Sequence, residues 1–348
     1  MSQSSKLAVD AMGGDHAPEA VIAGLNIVAE RQPKISFLIY GDEGRLAPLL
    51  AKAKRLVGRY ELRHCADIVT GDMKPTVALR LGDSSMRKAI DAVLSGEAAG
   101  VVSAGNTGAL LALSKIVLKT LKGIDRPAMA AIAPSVKGDV VMLDLGLNVV
   151  CDARNLVEFS LMGSVFARIV LGLPSPTIGL LNIGSEEGKG DDTLRSAAST
   201  LRLSPIAAQF HGFVEGHDIG AGTVDVVVTD GFTGNVALKT GEGTLKFVIE
   251  LLRRVFASGP FAKLGYLLAR GAMKRLKETL DPRRYNGAVL LGLNGVVVKS
   301  HGGADAEGFA HAVDVAVDMI ANDFNKRIAD ALVEMDRAIL SKEPVEPL

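Results

Sequence analysis

Short apolar runs rich in Val, Ile and Leu recur along the chain. Most give way to a turn bearing Gly, Asp or Asn and then to a stretch with helical spacing. Continuous apolar runs of this length mark strands buried on both faces, and their alternation with helices predicts a parallel sheet covered on each side. "KLAVDAM" (6–12) predicts a strand, and "GGDHAPEAVIAGLNIVAE" predicts a turn entering a helix, with Pro18 near its first turn. "ISFLIYGDE" (35–43) predicts the next strand. The unit repeats in "AAGVVSAGNTGALLALSKIVL" (98–118), "DVVMLDLGLNVVCDARNLVEFSLMGSVFARIV" (139–170) and "TIGLLNIGSEEGKGDDTLRSAASTL" (177–201). In "VDVVVTDGFTGNVALK" (224–239) a strand ends on a tight turn, and "NVALKTGEGTLKFVIELLRRVF" runs on as a long helix that Asn235 opens. "NGAVLLGLNGVVVKSHGGADAEGFAHAV" (286–313) adds a strand pair and a last Gly-rich entry into a helix. The first sixty residues and the last fifty read as peripheral to the richest loops. The expected fold class is α/β, a layered α/β/α protein with a mostly parallel sheet.

Length and composition narrow this picture. The 348 residues suffice for one large or two modest domains. With no low-complexity segment and no fixed-period repeat, residues 1–348 read as a single α/β domain. Basic and acidic residues balance at 39 each, so no global charge points to nucleic acid. Cys65 and Cys151 are too few and too scattered for a disulfide framework or a zinc site. The opening "MSQSSKLAVDAMGG" lacks the apolar core of a signal peptide, and no apolar run approaches the roughly 20 residues of a membrane span. These features predict a cytoplasmic protein that touches at most a membrane surface.

The strand ends carry the candidate chemistry. In parallel α/β sheets ligands bind beyond the carboxyl ends of the strands. Those ends here bear Asp10, Gly13, Gly14, Asp15 and His16, then Asn106 and Thr107, then Asp144 and Asn148. Further on come Ser185, Glu186, Glu187 and Lys189, then Asp230, Thr233, Gly234 and Asn235, and finally His301. Plain connections do not need so many short polar side chains, so a single polar cleft along one sheet edge is expected. Gly-rich turns entering helices leave backbone N–H groups aimed outward at a positive dipole end, which suits an anion. Gly231 and Gly234 are read as letting the backbone approach that ligand.

Several specific chemistries fail on spacing. "GSEEGKG" departs from a P-loop, since Gly190 rather than Ser or Thr follows Lys189. "AMGGDH" is not a dinucleotide fingerprint, and no G-x-S-x-G elbow exists. His16, His64, His211, His217, His301 and His311 form no metal-spaced pair, so neither metal nor cofactor is expected. Glu186 and Glu187 serve equally as acid–base groups or as solvated loop charges. What remains is an anion cradle with one lysine and no covalent nucleophile. It suits a substrate that brings its own nucleophile, such as inorganic phosphate attacking an activated acyl group.

"VDAMGGDHAP", "VSAGNTGAL", "LLNIGSEEGKG", "DVVVTDGFTGN" and "GAVLLGL", in this order, resemble the bacterial fatty acyl-ACP:phosphate acyltransferase (PlsX) family from about Leu7 to about Met319. The resemblance implies transfer of a fatty acyl group from acyl carrier protein to inorganic phosphate. The acyl phosphate then feeds a glycerol-3-phosphate acyltransferase in phospholipid synthesis. It also implies a homodimer with a fold like those of isopropylmalate dehydrogenases and phosphotransacetylases. The catalytic residues it implies are Lys189, holding phosphate or the thioester oxygen, and Asn235, donating to the oxyanion. Asp10, Gly13, Gly14, Asp15, His16, Asn106 and Thr107 match the family's other loops. The chain departs from the family at Leu147, where a small alanine is usual, at Leu81 and Gly82, and at His301–Gly302–Gly303–Ala304.

Residues 253–284 stand apart as a basic amphipathic segment. Phe261, Leu264, Leu267 and Leu268 recur at near-helical spacing among Arg253, Arg254, Lys263, Arg270, Lys274 and Arg275. Such a segment serves a membrane surface, an acidic carrier protein or a dimer contact. Two rival functions stay open at this point. One is a phosphotransacetylase-like enzyme acting on short acyl-CoA. The other is a non-catalytic, membrane-associated scaffold of lipid synthesis.

Overall fold

The apolar runs become strands of one sheet in a computed structural model that describes residues 6–340. Eleven strands form it: β1 Lys6–Asp10, β2 Ser36–Gly41, β3 Tyr60–His64, β4 Gly100–Ser103, β5 Ala128–Ser135, β6 Gly138–Leu143, β7 Ile178–Leu181, β8 Phe210–Val214, β9 Val226–Val228, β10 Ala288–Leu291 and β11 Val296–Lys299. They lie in the order β3-β2-β1-β4-β11-β10-β5-β6-β9-β7-β8. Seven of the ten neighbouring pairs are parallel, which makes the sheet mostly parallel as expected. The other three reverse the direction: β10 runs against β11 and against β5, and β5 runs against β6.

Helices cover both faces. They are α1 Glu19–Arg31, α2 Glu43–Leu50, α3 Pro75–Ala78, α4 Ser85–Leu94, α5 Thr107–Leu118, α6 Ala153–Val170, α7 Asp192–Leu203, α8 Gly216–Ala221, α9 Gly231–Ala257, α10 Pro260–Leu268, α11 Arg270–Thr279, α12 Ala306–Ala321 and α13 Phe324–Leu340. One face carries a continuous core that joins Leu7 and Val9 of β1 to Val226 of β9 through Phe159 and Phe166 of α6 and Phe309 of α12. The other face is covered in two parts. One groups Met86 and Leu113 with Val101 and Val297, and the second groups Met142, Val214 and Val227. α6 is buried from Asn155 to Ala167 and starts at a capping box between Asp152 and Asn155, so its direction is set by its own sequence.

Two expectations change. Strands β3, β5 and β8 were not legible as apolar runs; the edge strand β3, "YELRH", carries polar residues that solvent tolerates. The first sixty residues are not peripheral either, because β1 lies inside the sheet between β2 and β4.

Candidate functional site

Strand direction decides which loops meet. β1, β4 and β11 run one way, and β6, β9 and β7 run the other, because β10 and β6 each reverse the path. Their carboxyl ends therefore leave the sheet at opposite edges. Asp10, Gly13, Gly14, Asp15, His16, Asn106, Thr107 and His301 belong to one loop group. Asp144, Asn148, Ser185, Glu186, Glu187, Lys189, Asp230, Thr233, Gly234 and Asn235 belong to the other. No hydrogen bond joins the two groups among the described residues. The single polar edge expected from the strand–helix alternation is thus two.

The second group is built around a buried carboxylate. Asp144 follows β6 and accepts from the backbone N–H groups of Met129 at 2.9 Å, Leu147 at 3.2 Å and Asn148 at 2.7 Å, and from Asn148 Nδ2 at 2.9 Å. Burial pushes its carboxyl above the usual range, while these bonds hold it down. Asn148 also donates to the Pro127 carbonyl at 2.8 Å, and its own carbonyl accepts from Gly231 N–H at 2.7 Å. Asp144 and Asn148, expected to touch substrate, are buried, and both carboxylate oxygens of Asp144 and the Nδ2 of Asn148 bond within the protein. Gly231 and Gly234 serve the same packing. A Cβ on Gly234 would lie 1.9 Å from the Asp144 carbonyl oxygen, and one on Gly231 would lie 2.9 Å from the Asn148 backbone. These glycines admit the neighbouring loop of Asp144 and Asn148.

α9 opens at Gly231 rather than at Asn235. Asp230 is its cap, accepting from Thr233 N–H at 2.9 Å and from Thr233 Oγ1 at 2.7 Å. Asn235 lies one turn inside, exposed, with its amide beside Gly146. Just after the neighbouring strand β7, Asn182 Nδ2 donates to the Lys189 carbonyl at 3.1 Å, and Lys189 N–H donates to the Glu186 carbonyl at 3.0 Å. Gly190, at φ 82°, closes this turn against Asn182. Ser185 and Glu186 are exposed, and Glu187 pairs with Arg202 at 3.0 Å. The Lys189 ammonium is exposed and has no ion-pair partner among the described residues. A free ammonium, an exposed amide and the positive end of a 27-residue helix therefore share one edge on adjacent strands. Nearby, burial pushes the Cys151 thiol up to about 12, and burial pushes Cys65 elsewhere up to about 11, so neither is poised as a nucleophile.

The first group centres on Asp10, buried at the end of β1. It accepts from Ser85 Oγ at 2.6 Å, Ser103 Oγ at 2.7 Å and Met12 N–H at 3.3 Å. Burial raises its carboxyl above the usual range against those bonds. Asn106 caps α5 through Ala109 N–H at 3.0 Å and ties down the Thr70, Gly71 and Met73 carbonyls, so its side chain is also committed. Asp15, His16, Thr107 and His301 are exposed. His301 Nδ1 accepts from Gly303 N–H at 3.0 Å, which leaves Nε2 to face outward. Sequence reading missed Ser85, Ser103, Lys299 and Asn286. Only Lys299 left a trace, as the one charge closing the apolar run "VVVK".

Residues 253–284 form the end of α9, then α10 and α11 and the start of a 3-10 turn at Pro282. None of the described residues from 235 to 286 is buried. Phe261 is 87% exposed and Leu268 81%. Among the described residues of the segment, the ring contact is Phe256 against Tyr266 at 5.5 Å.

The fold is that of the phosphotransacetylases. A phosphotransacetylase from Streptococcus pyogenes superposes with a TM-score of 0.61 at 17% identity, covering 92% of this chain and 95% of that one. The EutD phosphotransacetylase from Staphylococcus aureus gives 0.57 at 16%, covering 91% and 94%. At the level of sequence, the model of the fatty acid synthesis protein family matches residues 5–327, and the chain belongs to that family. A phosphate acyltransferase from Acidiphilium cryptum (strain JF-5) is 71% identical over 326 residues, 94% of this chain and 86% of its own. One from Rhodospirillum rubrum is 54% identical over 336 residues, 96% of each chain. The protein is an enzyme of the acyltransferase class.

Proposed function

We propose that the protein transfers a fatty acyl group from acyl carrier protein to inorganic phosphate, giving acyl phosphate and free carrier protein for phospholipid synthesis. A phosphate oxygen attacks the thioester carbonyl. The P–O–C bond forms, the C–S bond breaks, and the thiolate takes a proton from solvent. A pantetheine-type thiol, with a pKa near ~8.5, leaves without a dedicated acid. The observation that carries this reading is the Lys189 ammonium, without an ion-pair partner among the described residues, in the loop after β7, the strand that pairs with β9 ahead of α9 and Asn235. Lys189 holds the attacking dianion, and the Asn235 amide donates to the oxyanion of the tetrahedral intermediate. No covalent nucleophile is required of the chain.

The exposed arm of α10 and α11 supports a second element of the proposal. Phe261, Leu264, Leu267 and Leu268 present apolar surface beside Lys263, Arg270, Lys274 and Arg275, the composition of an interfacial helix. We place the arm on an anionic membrane surface, where a lipid-soluble product is handed to a glycerol-3-phosphate acyltransferase. No helix among the described residues is long and apolar enough to cross a membrane. A homodimer through the exposed apolar residues of α9, such as Phe247, Ile249 and Leu251, is consistent with that arrangement.

The deciding experiment measures thiol release from long-chain acyl carrier protein with and without phosphate, beside the same assay on acyl-CoA. Phosphate-dependent release favouring the carrier protein is the expected result. Release only from short acyl-CoA would replace the proposal with a phosphotransacetylase. No release from either donor would overturn the proposed donor and leave only the acyltransferase class.

A further inference from the structure

The edge of Lys189 and Asn235 carries apolar side chains that neither the core nor the chemistry above uses. Val149 and Val150 follow Asn148 in the loop after β6, Ile183 stands in the loop after β7, and Phe232 and Val236 lie in the first two turns of α9. All five are exposed, Ile183 to 81%, Val150 to 74% and Phe232 to 63%. The usual order is inverted here, since the polar Asp144 and Asn148 of the same loops are buried.

The fold gathers these residues. β6, β9 and β7 are parallel neighbours with Leu143, Val228 and Leu180 in register, so their loops leave the sheet side by side, about 5 Å between strands. The Gly231 N–H bond to the Asn148 carbonyl ties the residue before Phe232 to the residue before Val149. Phe232, Asn235 and Val236 are spaced i, i+3 and i+4, so they share one face of α9. On the β7 side Ile183 precedes Gly184, and a Cβ on Gly184 would lie 2.9 Å from Lys189 Cγ. The stem of Lys189 therefore crosses the backbone next to Ile183. Apolar surface borders both the ammonium and the amide.

Clustered exposed apolar side chains mark a surface that something apolar covers. What lies beside the cluster identifies the occupant. The Lys189 ammonium and the α9 N-terminus suit a doubly charged head group, and the product of acyl transfer to phosphate is such a head on a long alkyl tail. We infer that Val149, Val150, Ile183, Phe232 and Val236 seat the acyl chain, and that Ile183 and Phe232, which flank Lys189 and Asn235, set a preference for long chains. This rests on the acyl transfer proposed for the same edge. A chain laid on this surface keeps its carbonyl end between Lys189 and Asn235, and each methylene covered adds to binding in proportion to its area.

The test uses the full chain and needs no turnover. Decylphosphonate and butylphosphonate are stable analogues of an acyl phosphate that share a head group and differ in chain length. Their dissociation constants are measured by calorimetry below the micelle concentration for wild type, Ile183→Ser and Phe232→Ser. Val57→Ser, at an exposed apolar residue ahead of β3, is the remote control. All three replaced side chains are exposed, so the melting temperature is expected to stay near wild type. Wild type and Val57→Ser are expected to bind decylphosphonate about tenfold or more tighter than butylphosphonate. Ile183→Ser and Phe232→Ser are each expected to lose most of that preference. Equal binding of the two phosphonates by wild type, binding of neither, or an equal loss in Val57→Ser overturns the inference. So does a preference kept in either Ile183→Ser or Phe232→Ser, and if that variant also converts a dimer to monomers in sedimentation, the surface belongs to a second copy of the chain. If wild type releases no thiol in response to phosphate, the proposed function fails while the phosphonates still decide the inference. Phosphate-dependent release from a protein that binds both phosphonates equally overturns the inference alone.

Discussion

At the scale of single residues, the side chains near Lys189 and Asn235 divide into those that shape the loops and those left free. Asp144 and Asp230 accept on their carboxylate oxygens from donors around them, and Asn148 donates through Nδ2 to the Pro127 carbonyl and to Asp144. Lys189 and Asn235 are exposed. Replacing Asn235 by Ala should therefore keep the melting temperature near wild type and lower turnover by about a hundredfold or more, on the order of 3 kcal/mol for one oxyanion donor. Lys189→Ala should raise the phosphate KM, lower kcat, or both, again with the fold intact. Wild-type kinetics in either variant would remove that residue from the mechanism. Gly234→Ala should fail differently. Its methyl would meet a carbonyl oxygen at 1.9 Å, and backbone cannot yield as a side chain does. A loss of several kcal/mol in urea unfolding is expected, beyond the usual ~1–3 of an overpacked core, whereas an unchanged midpoint would contradict the packing role. This residue scale was only half legible in sequence. The turn "DGFTGN" announced a close approach, but only the fold shows that the approaching partner is the Asp144 carbonyl. Asp144 and Asn148 have the residue types of a binding site, and nothing in their spacing reveals that both are used up internally.

Elements were more legible than residues, because periodicity and caps are local. The helix at 231–257 was expected to begin at Asn235. It begins earlier because Asp230 accepts from Thr233, a cap that takes precedence over Asn235 as a later start. The basic segment 253–284 was visible as a pattern, and the structure adds that Phe261, Leu264, Leu267 and Leu268 are exposed among the described residues. A helix whose apolar side faces outward has its use elsewhere. Leu267→Glu with Leu268→Glu touches nothing buried, so the two changes should alter stability by no more than about ±0.5 kcal/mol each. They should nevertheless abolish sedimentation with anionic vesicles, and leave thiol release from soluble acyl carrier protein near wild type. Vesicle binding retained in that variant would move the membrane contact off α10. Lost release with retained vesicle binding would instead make α10 the carrier-protein dock.

The whole molecule was the least legible scale. Strand–helix alternation is blind to direction, and direction here turns on the hairpin at Ser135–Gly138 and on β10, which together set two loop groups at opposite edges. Those reversals divide the polar loops but not the core. The apolar cluster on one face runs from Leu7 of β1 to Val226 and Val228 of β9 without a break, and α6 and α12 cross between the halves. Within it Phe166 of α6 packs edge-on against Phe324 of α13, ring centroids 6.2 Å apart, and both are fully buried. If that core is one unit, Phe166→Ala should cost roughly 3–5 kcal/mol and should lower the protection of both halves together. Hydrogen exchange along a denaturant series reads this directly. Peptides from β1 and β4 are expected to open at the same denaturant concentration as peptides from β7 and β9, in wild type and, shifted downward, in the variant. An opening of β7 and β9 that leaves β1 and β4 protected would instead show that the sheet hydrogen-bonds across the β10–β5 seam without folding as one.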